Sequence, residues 1–470
     1  MNPKMKILVA IANYGTKNLK YLQVLLDEYR RMPFQVDIVI LSNEPKDLGP
    51  NLEVIVGLPA KNPWSLPFGH KRLFAQRVKD YDLFIYSEDD TPLTENNIRA
   101  FLDSVGILPD NEIPGFLRYE VGADGQKHIS SAHGRFHWLP ESARQVAGNT
   151  FAQFTNAHSA CYIITRSQLE RAIASGGFLV EPYEAEYDML CSAATDPYTR
   201  CGFTKVINIS RMEDFLLPHL PNKYVGVMGT KFDVFQTHLD ALKQIAAGRR
   251  PAVTALPNSR PPLTPPWLKS YYEPLSGELL SVVPKHARSI LTVGMGTGAT
   301  ECELVKRGHK VTAIPMDSVI SAPAEKQGVE VVHSQLDQGP ARLAGRHFDC
   351  LIIRNALYLH QDPGSMLKAF APVLAKDGRF LVQEPNFGNL QTRAGRLLRG
   401  AGARLRSLRQ GGVHPVSPAR VRRWLKSAGW SVEQVVHIPD TAPSKRVQAL
   451  QRLPLALSST EFIVTAKRSG

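Results

Sequence analysis

At 470 residues, with 43% hydrophobic and 21% charged residues, the chain has ordinary globular composition and length enough for two or three domains, which excludes a disordered or fibrous protein. Lys and Arg outnumber Asp and Glu by 56 to 43, and the net charge of +13 favours anionic partners such as nucleotides, nucleic acid or an acidic membrane surface. The five cysteines are widely spaced and form no Cys-x-x-Cys pair, so they indicate neither a zinc site nor a disulfide framework and are expected reduced and mostly buried.

No apolar run approaches the roughly 18 residues needed to span a bilayer. Residues 7–12, behind two lysines, are too short for a signal-peptide core and read instead as a first strand. The expected location is cytoplasmic, with any membrane association peripheral at the inner face.

The first half alternates strand and helix. Strands are expected at 6–12, 36–42 and 52–58, and a helix at 17–31, where Leu19, Leu22, Leu25, Leu26 and Tyr29 recur at helical spacing. This order predicts a mainly parallel, twisted sheet. A proline-rich loop over 59–68 and a helix over 70–79 lead into Asp-Leu-Phe-Ile-Tyr-Ser-Glu-Asp-Asp at 82–90. There a short apolar run, suited to a strand buried on both faces, delivers three carboxylates to a strand end, the place where ligands collect in parallel sheets. Alternation along an extended chain would turn Glu88 and Asp90 to one side and Asp89 to the other. Two converging carboxylates suit a hard cation such as Mg²⁺ or Mn²⁺, with a bound diphosphate completing its shell. The triplet also reads as a solvated turn before a helix capped by Thr94.

Downstream, Phe154-Thr-Asn-Ala-His-Ser-Ala-Cys-Tyr-Ile-Ile-Thr-Arg enters a helix over 168–174, followed by Gly176-Gly177-Phe178 and the acidic segment Glu181-Pro-Tyr-Glu-Ala-Glu-Tyr-Asp-Met-Leu. This order over about residues 5–225 resembles the nucleotide-sugar glycosyltransferases of the GT-A fold. The resemblance implies that Glu88 and Asp90 hold the metal, with Glu where the family usually shows Asp first, and that Asp89 contacts the donor ribose or sugar. It implies Glu186 or Asp188, with Glu184 as an outsider, as the base that takes the acceptor proton. His219, in Met212-Glu-Asp-Phe-Leu-Leu-Pro-His, would be a late metal ligand. Asn13 and Tyr14 would grip the nucleotide base at the first strand's end. An acidic helix start and an ordinary strand-end turn account for the same residues equally well.

Between about 248 and 270, Arg-Arg-Pro, Leu-Pro-Asn-Ser-Arg-Pro-Pro and Thr-Pro-Pro predict an extended, semi-rigid linker between domains 1–247 and 271–470. The α/β pattern then restarts. A strand from Ser289 runs into Gly294-x-Gly296-x-Gly298 and a helix, a turn that admits close backbone approach. Strands follow at 310–314, 329–333 and 348–353, then Asn355-Ala-Leu-Tyr-Leu-His-Gln-Asp-Pro, a helix over 366–374, and a further strand after Asp377. Residues 271–438 resemble the class I S-adenosylmethionine-dependent methyltransferases. That implies a Rossmann-like sheet, Gly294, Gly296 and Gly298 against the cofactor, and His360 as base.

Three positions usually acidic in that family are Thr292, Pro315 and Gln335 here. A hydrogen bond to a charged group contributes about 1.5–3 kcal/mol, so loss of the ribose clamp at Pro315 alone weakens binding roughly ten- to hundredfold. Asp317 and Asp337, two residues further on, are the candidates to compensate.

Arg393, Arg396, Arg399, Arg404, Arg406, Arg409, Arg420, Arg422, Arg423 and Lys426 lie in a stretch without Asp or Glu. It reads as a solvated basic helix, an amphipathic lid or an anionic-lipid contact, and its lack of interleaved aromatics argues against nucleic acid. The expectation from sequence is therefore a metal-dependent glycosyltransferase acting on a glycan or glycolipid, fused to an O-methyltransferase-like domain. The alternative is that the second domain is a non-catalytic docking module.

Overall fold

The computed structural model describes residues 4–50, 52–130, 136–185, 187–225, 229–259, 269–390, 392, 412–439 and 454–469. They form two compact units, which divide between Arg249 and Arg250.

The first unit is built on five strands in the order β3-β2-β1-β4-β10: β1 Lys6–Asn13, β2 Gln35–Ser42, β3 Glu53–Val56, β4 Leu83–Glu88 and β10 Cys161–Thr165. The first four run parallel and β10 runs antiparallel against β4. Both central strands are apolar from Ile7 to Ala12 and from Leu83 to Tyr86, because helices bury them on both faces. The helix Leu19–Arg31 contributes the Leu22, Leu25, Leu26 and Tyr29 stripe, as its spacing predicts. Thr94 caps the helix Glu95–Val105 in a reciprocal box with Asn97, and Thr165 does the same for Arg166–Ala174 with Gln168.

Two four-stranded sheets absent from the sequence reading complete this unit. They contain β5 Glu112–Pro114, β6 Leu117–Val121, β7 Lys127–Ile129, β8 Trp138–Val146, β9 Asn149–Phe154, β11 Thr204–Asn208, β12 Leu216–Pro218 and β13 Thr230–Lys231. Their orders are β5-β11-β9-β8 and β12-β6-β7-β13, with parallel and antiparallel pairs in both. The unit is thus a parallel sheet with mixed sheets added, rather than one mainly parallel sheet.

The second unit holds one seven-stranded sheet in the order β16-β15-β14-β17-β18-β20-β19. Its strands are β14 Ser289–Met295, β15 Lys310–Pro315, β16 Glu330–Val331, β17 Phe348–Arg354, β18 Leu374–Pro385, β19 Trp430–Ile438 and β20 Glu461–Arg468. Only β20 runs against its neighbours. The expected Rossmann-like sheet is therefore present. Its reversed strand, Glu-Phe-Ile-Val-Thr-Ala-Lys-Arg, carries an apolar run that suits an interior position.

The linker reading needs correction over residues 250–256. These residues belong to the second unit and hydrogen-bond to it, because their extended, proline-flanked backbone offers unpaired groups to a neighbouring chain. Residues 260–268 lie outside the described residues. Of the basic stretch, Arg393 to Arg409 also lie outside them. Arg420 to Lys426 form the helix Pro418–Ser427, whose Val421 and Leu425 are buried in the unit's own core. Its apolar face is therefore unavailable to lipid, while Arg422, Arg423 and Lys426 are exposed. All five cysteines are buried and none is in a disulfide, and no helix among the described residues is long and apolar enough to cross a membrane.

Candidate functional site

In an open parallel sheet the crevice for ligands opens where strand order reverses, at the carboxyl ends. In the first unit that point lies between β1 and β4, whose register pairs Ala12 with Glu88 and so brings Asn13 level with the acidic triplet. The strand stops at Glu88, and Asp89 and Asp90 sit in the following turn. The expected alternation therefore ends with the strand. Glu88 faces Arg118, 3.9 Å away, while Asp89 and Asp90 both approach Asn18.

Asp89 accepts from Asn13 Nδ2 at 2.5 Å and Asn18 Nδ2 at 2.7 Å. Burial still pushes its carboxyl up to about 6 against these hydrogen bonds. Burial pushes Glu88 up to about 7, opposed by Arg118 and reinforced by its two acidic neighbours. Asp90 behaves otherwise. Burial would raise it, but the hydrogen bond and charge of His219, with Arg118 and Lys223 beyond, hold it below the ordinary carboxylate range.

His219 follows β12, which pairs in parallel with β6 and so lies beside Arg118 and Glu120. Its Nε2 lies 3.5 Å from Asp90 Oδ2, its Nδ1 contacts Glu120 Oε1 at 2.5 Å, and the Tyr224 ring stacks on it. Glu120 Oε2 accepts from Tyr224 N at 2.7 Å. A carboxylate behind one imidazole nitrogen fixes the ring and leaves the other nitrogen directed at Asp90, the arrangement found behind metal-ligating histidines. Among the described residues no three His, Cys, Asp or Glu side chains form a metal cluster, so the expected trio of Glu88, Asp90 and His219 is not assembled. Asp90 and His219 are the two of the three that face one another.

Sequence reading missed Arg118, Glu120, Asn18 and Lys46. The signal for the first two was present: Leu-Arg-Tyr-Glu-Val places Arg118 and Glu120 on one face of a strand, and both are buried. Lys46 donates to Asn13 Oδ1, to Asn13 O at 3.1 Å and to Gly15 O at 2.5 Å. Asn13 is thus fully engaged within the chain, through Lys46 on one side and Asp89 on the other. Tyr14 is half-exposed beside it. Asp188 accepts from Cys191 N at 2.9 Å and caps the helix Met189–Thr199. Glu184 is exposed, and Glu186 lies outside the described residues.

The corresponding reversal in the second unit lies between β14 and β17. Gly294 and Gly298 adopt left-handed backbone there, at φ +88° and +83°. All three glycines make room for the protein itself. A Cβ on Gly294 would fall 2.8 Å from Arg354 O, one on Gly296 2.0 Å from Tyr271 O, and one on Gly298 2.6 Å from the Ala324 methyl. Beside them is a buried ionic cluster. Lys269 contacts Glu273 at 2.5 Å, Glu273 lies 3.3 Å from Arg354, and Arg354 donates to Thr300 Oγ1 and Pro274 O.

Neither compensating acid is placed as a ribose or adenine clamp. Asp317 is buried, and its Oδ1 accepts from Val319 N and Ile320 N at 2.7 Å each. Asp337 is a largely exposed partner of His360 Nε2 at 2.5 Å. The His360 Nδ1 accepts from Asp362 N at 3.1 Å. Both ring nitrogens are therefore engaged in this structure. What the three glycines accommodate in this structure is the close approach of Tyr271, Arg354 and Ala324.

Residues 267–435, within the second unit, match a family model described as a methyltransferase domain. The chain is similar to several solved structures. One is an S-adenosylmethionine-dependent methyltransferase from Thermotoga maritima: 17% identity, 41% of this chain and 86% of that one, TM-score 0.32. Another comes from Archaeoglobus fulgidus: 16% identity, shares of 39% and 87%, TM-score 0.31. A third comes from Mesorhizobium loti: 17% identity, shares of 40% and 95%, TM-score 0.30. No curated protein matches the chain.

Proposed function

We propose that the first unit is a GT-A-type glycosyltransferase that passes a sugar from a nucleotide-sugar to a hydroxyl of a glycan or glycolipid, with Mn²⁺ or Mg²⁺ at the β1/β4 crossing. The observation that carries this reading is Asp90 facing an imidazole whose far nitrogen is held by the buried Glu120, at the carboxyl end of a parallel sheet. Asp90 and His219 would hold the ion. When bound, it would neutralise charge on the leaving diphosphate.

The chain's own groups account for the rest. Asp89, fixed by Asn13 and Asn18, offers a rigid acceptor for a ribose or sugar hydroxyl. Arg118 adds positive charge beside Glu88. The half-exposed Tyr14 ring offers a stacking face for a base. The acidic segment ending at Asp188 is the proposed source of the base for the acceptor hydroxyl, with Glu186 or Asp188 in that role.

The test is calorimetric titration with UDP- and GDP-sugars, with and without Mn²⁺. Binding that requires Mn²⁺ and disappears in Asp90→Asn supports the reading. Absence of any nucleotide-sugar binding in the presence of Mn²⁺ removes it.

A second reading concerns the methyltransferase domain, and the family match over residues 267–435 favours it. Methyl transfer to an oxygen of the same glycan would follow glycosylation, and covalent linkage would raise the local concentration of the shared acceptor. The exposed Arg422, Arg423 and Lys426 suit a peripheral contact with an anionic membrane surface that carries a lipid-linked acceptor.

A further inference from the structure

In doubly wound sheets the glycine turn after the first strand meets the cofactor, and the end of the adjacent strand takes its ribose. That second position is the end of β15, residues 315–318. In this protein a segment of its own backbone lies there. Val253 N donates to Ser318 Oγ at 3.1 Å and Ser318 N donates to Val253 O at 3.0 Å. Ala255 N donates to Met316 O at 2.9 Å, and Leu336 N donates to Ala255 O at 3.0 Å. Thr254 forms an antiparallel bridge with Asp317.

Residues 253–256 therefore run as an extra strand-like piece between the end of β15 and the 335–336 turn. Ala255 is 2% exposed and packs with Ile314 and Leu336, while Leu256 packs against Met316 and Ile320. The segment is pinned at its start. Arg250, largely buried, donates to Ser318 O at 2.6 Å and Ser321 Oγ at 3.0 Å, and makes a two-armed contact with Glu325. A second strip crosses the glycine turn, where Tyr271 O accepts from Thr297 N at 2.8 Å.

A backbone N–H and C=O presented edge-on to Met316 O and Leu336 N has the donor and acceptor pattern of a planar heterocycle edge. The carboxylates that would clamp a ribose there are replaced by Pro315 or engaged elsewhere, as with Asp317. Met316 O, Ser318 N, Ser318 Oγ and Leu336 N at this part of the crevice are hydrogen-bonded by the chain instead of by a ligand.

We propose that residues 250–256 are an internal strap that occupies the adenosine ground of the methyltransferase domain, so that S-adenosylmethionine enters only when the strap is displaced. The proposal rests on the family reading of the second unit and is independent of the glycosyl-transfer reading of the first.

The test compares S-adenosylhomocysteine binding by calorimetry in the full-length chain and in the strap-release variant Arg250→Ala/Ala255→Pro. The first substitution removes the anchor and the second removes the N–H that reaches Met316. Arg250→Ala alone is the variant to use if the double one does not fold by circular dichroism. The expected result is at least about a tenfold gain in affinity on release, the scale of one lost hydrogen-bonded anchor. A synthetic peptide of residues 250–258 is expected to reverse the gain. Equal affinity in wild type and release variant overturns the strap. Binding in neither overturns it as well, together with the cofactor reading, because the strap would then not be what excludes the ligand.

Discussion

The crossings of β1 with β4 and of β14 with β17 share one topology, a reversal of strand order at the carboxyl edge of a parallel sheet, yet they are furnished in opposite ways. At the first, strand ends and turns deliver carboxylates whose partners are side chains: Asp89 with Asn13 and Asn18, Asp90 with His219, Glu88 with Arg118. At the second, each glycine, each cluster charge and the end of β15 are matched by the chain's own backbone and ion pairs. A fold places a crevice, and the side chains at its rim decide whether that crevice receives a ligand or another part of the chain. The family match lies with the second crossing, and carboxylates raised by burial gather at both: Glu88 and Asp89 at the first, and Glu301, Glu384 and Glu461 around the Lys269, Glu273 and Arg354 cluster at the second. Perturbed groups gathered at a crevice point to function with a stated physical reason.

The largest effect separating the two belongs to Asp90. Asp90→Asn keeps the shape of the turn but removes the charge facing His219, and Mn²⁺-dependent nucleotide-sugar binding is expected to fall below detection by calorimetry. S-adenosylhomocysteine binding by the strap-release variant should be unaffected by the same change. Retained Mn²⁺-dependent binding would break the contrast at its strongest point.

Leu351→Ala probes the reverse. Leu351 is fully buried on β17, in the middle of the second unit's sheet. A large-to-small change there costs about 2–5 kcal/mol of that unit's stability. Each unit has its own hydrophobic core, so Mn²⁺-dependent binding should survive while the thermal transition of the second unit moves down. Loss of both would show that the two sites cannot be assigned to separate folding units.

Glu120→Gln is expected to weaken Mn²⁺ affinity about 10–100-fold by loosening the imidazole of His219, the usual cost of removing a partner behind a metal ligand. Glu88→Gln should leave Mn²⁺ affinity unchanged, because Glu88 faces Arg118. If Glu88→Gln proved the more damaging, the converging acid-x-acid pair expected from the sequence would be the better description after all.

That pair shows where sequence reading reached its limit. The acidic triplet, its strand and the Thr94 cap were legible because an apolar run, a charge cluster and a capping box are local patterns. The direction of each carboxylate was not, since it depends on the strand ending at Glu88 and on Asn18 and Glu120 arriving from elsewhere in the chain. The two added sheets escaped for a similar reason: short strands such as Glu112–Pro114 and Lys127–Ile129 carry too few residues for a period-two signal. The glycine turn was read as a site of close backbone approach to a cofactor. What approaches is Tyr271, Arg354 and Ala324, which no spacing rule could name. Prolines between 248 and 270 suggested a spacer, but extended backbone also suits docking onto a neighbour's free hydrogen-bonding groups, and residues 253–256 follow that course.

The smallest expected effect tests the electrostatics behind the first crossing. Lys205, on β11, is buried, and its Nζ lies 3.3 Å from the carbonyls of Asn156 and Ala157. Burial pushes its amine down to about 7, with Arg118 adding to the shift against the pull of Cys161. In the unfolded chain a lysine keeps its proton to about 10.4. Between these values the folded state binds fewer protons than the unfolded state, so the first unit's stability should rise with pH from about 7 toward 10. Lys205→Met retains most of the stem without the charge. It should be more stable than wild type at pH 6, and its advantage should shrink as pH climbs through that window. Denaturant unfolding across the pH series measures this directly. A difference that stays constant with pH would mean that Lys205 keeps its proton while buried, and that the positive charge behind Arg118 is larger than its surroundings suggest.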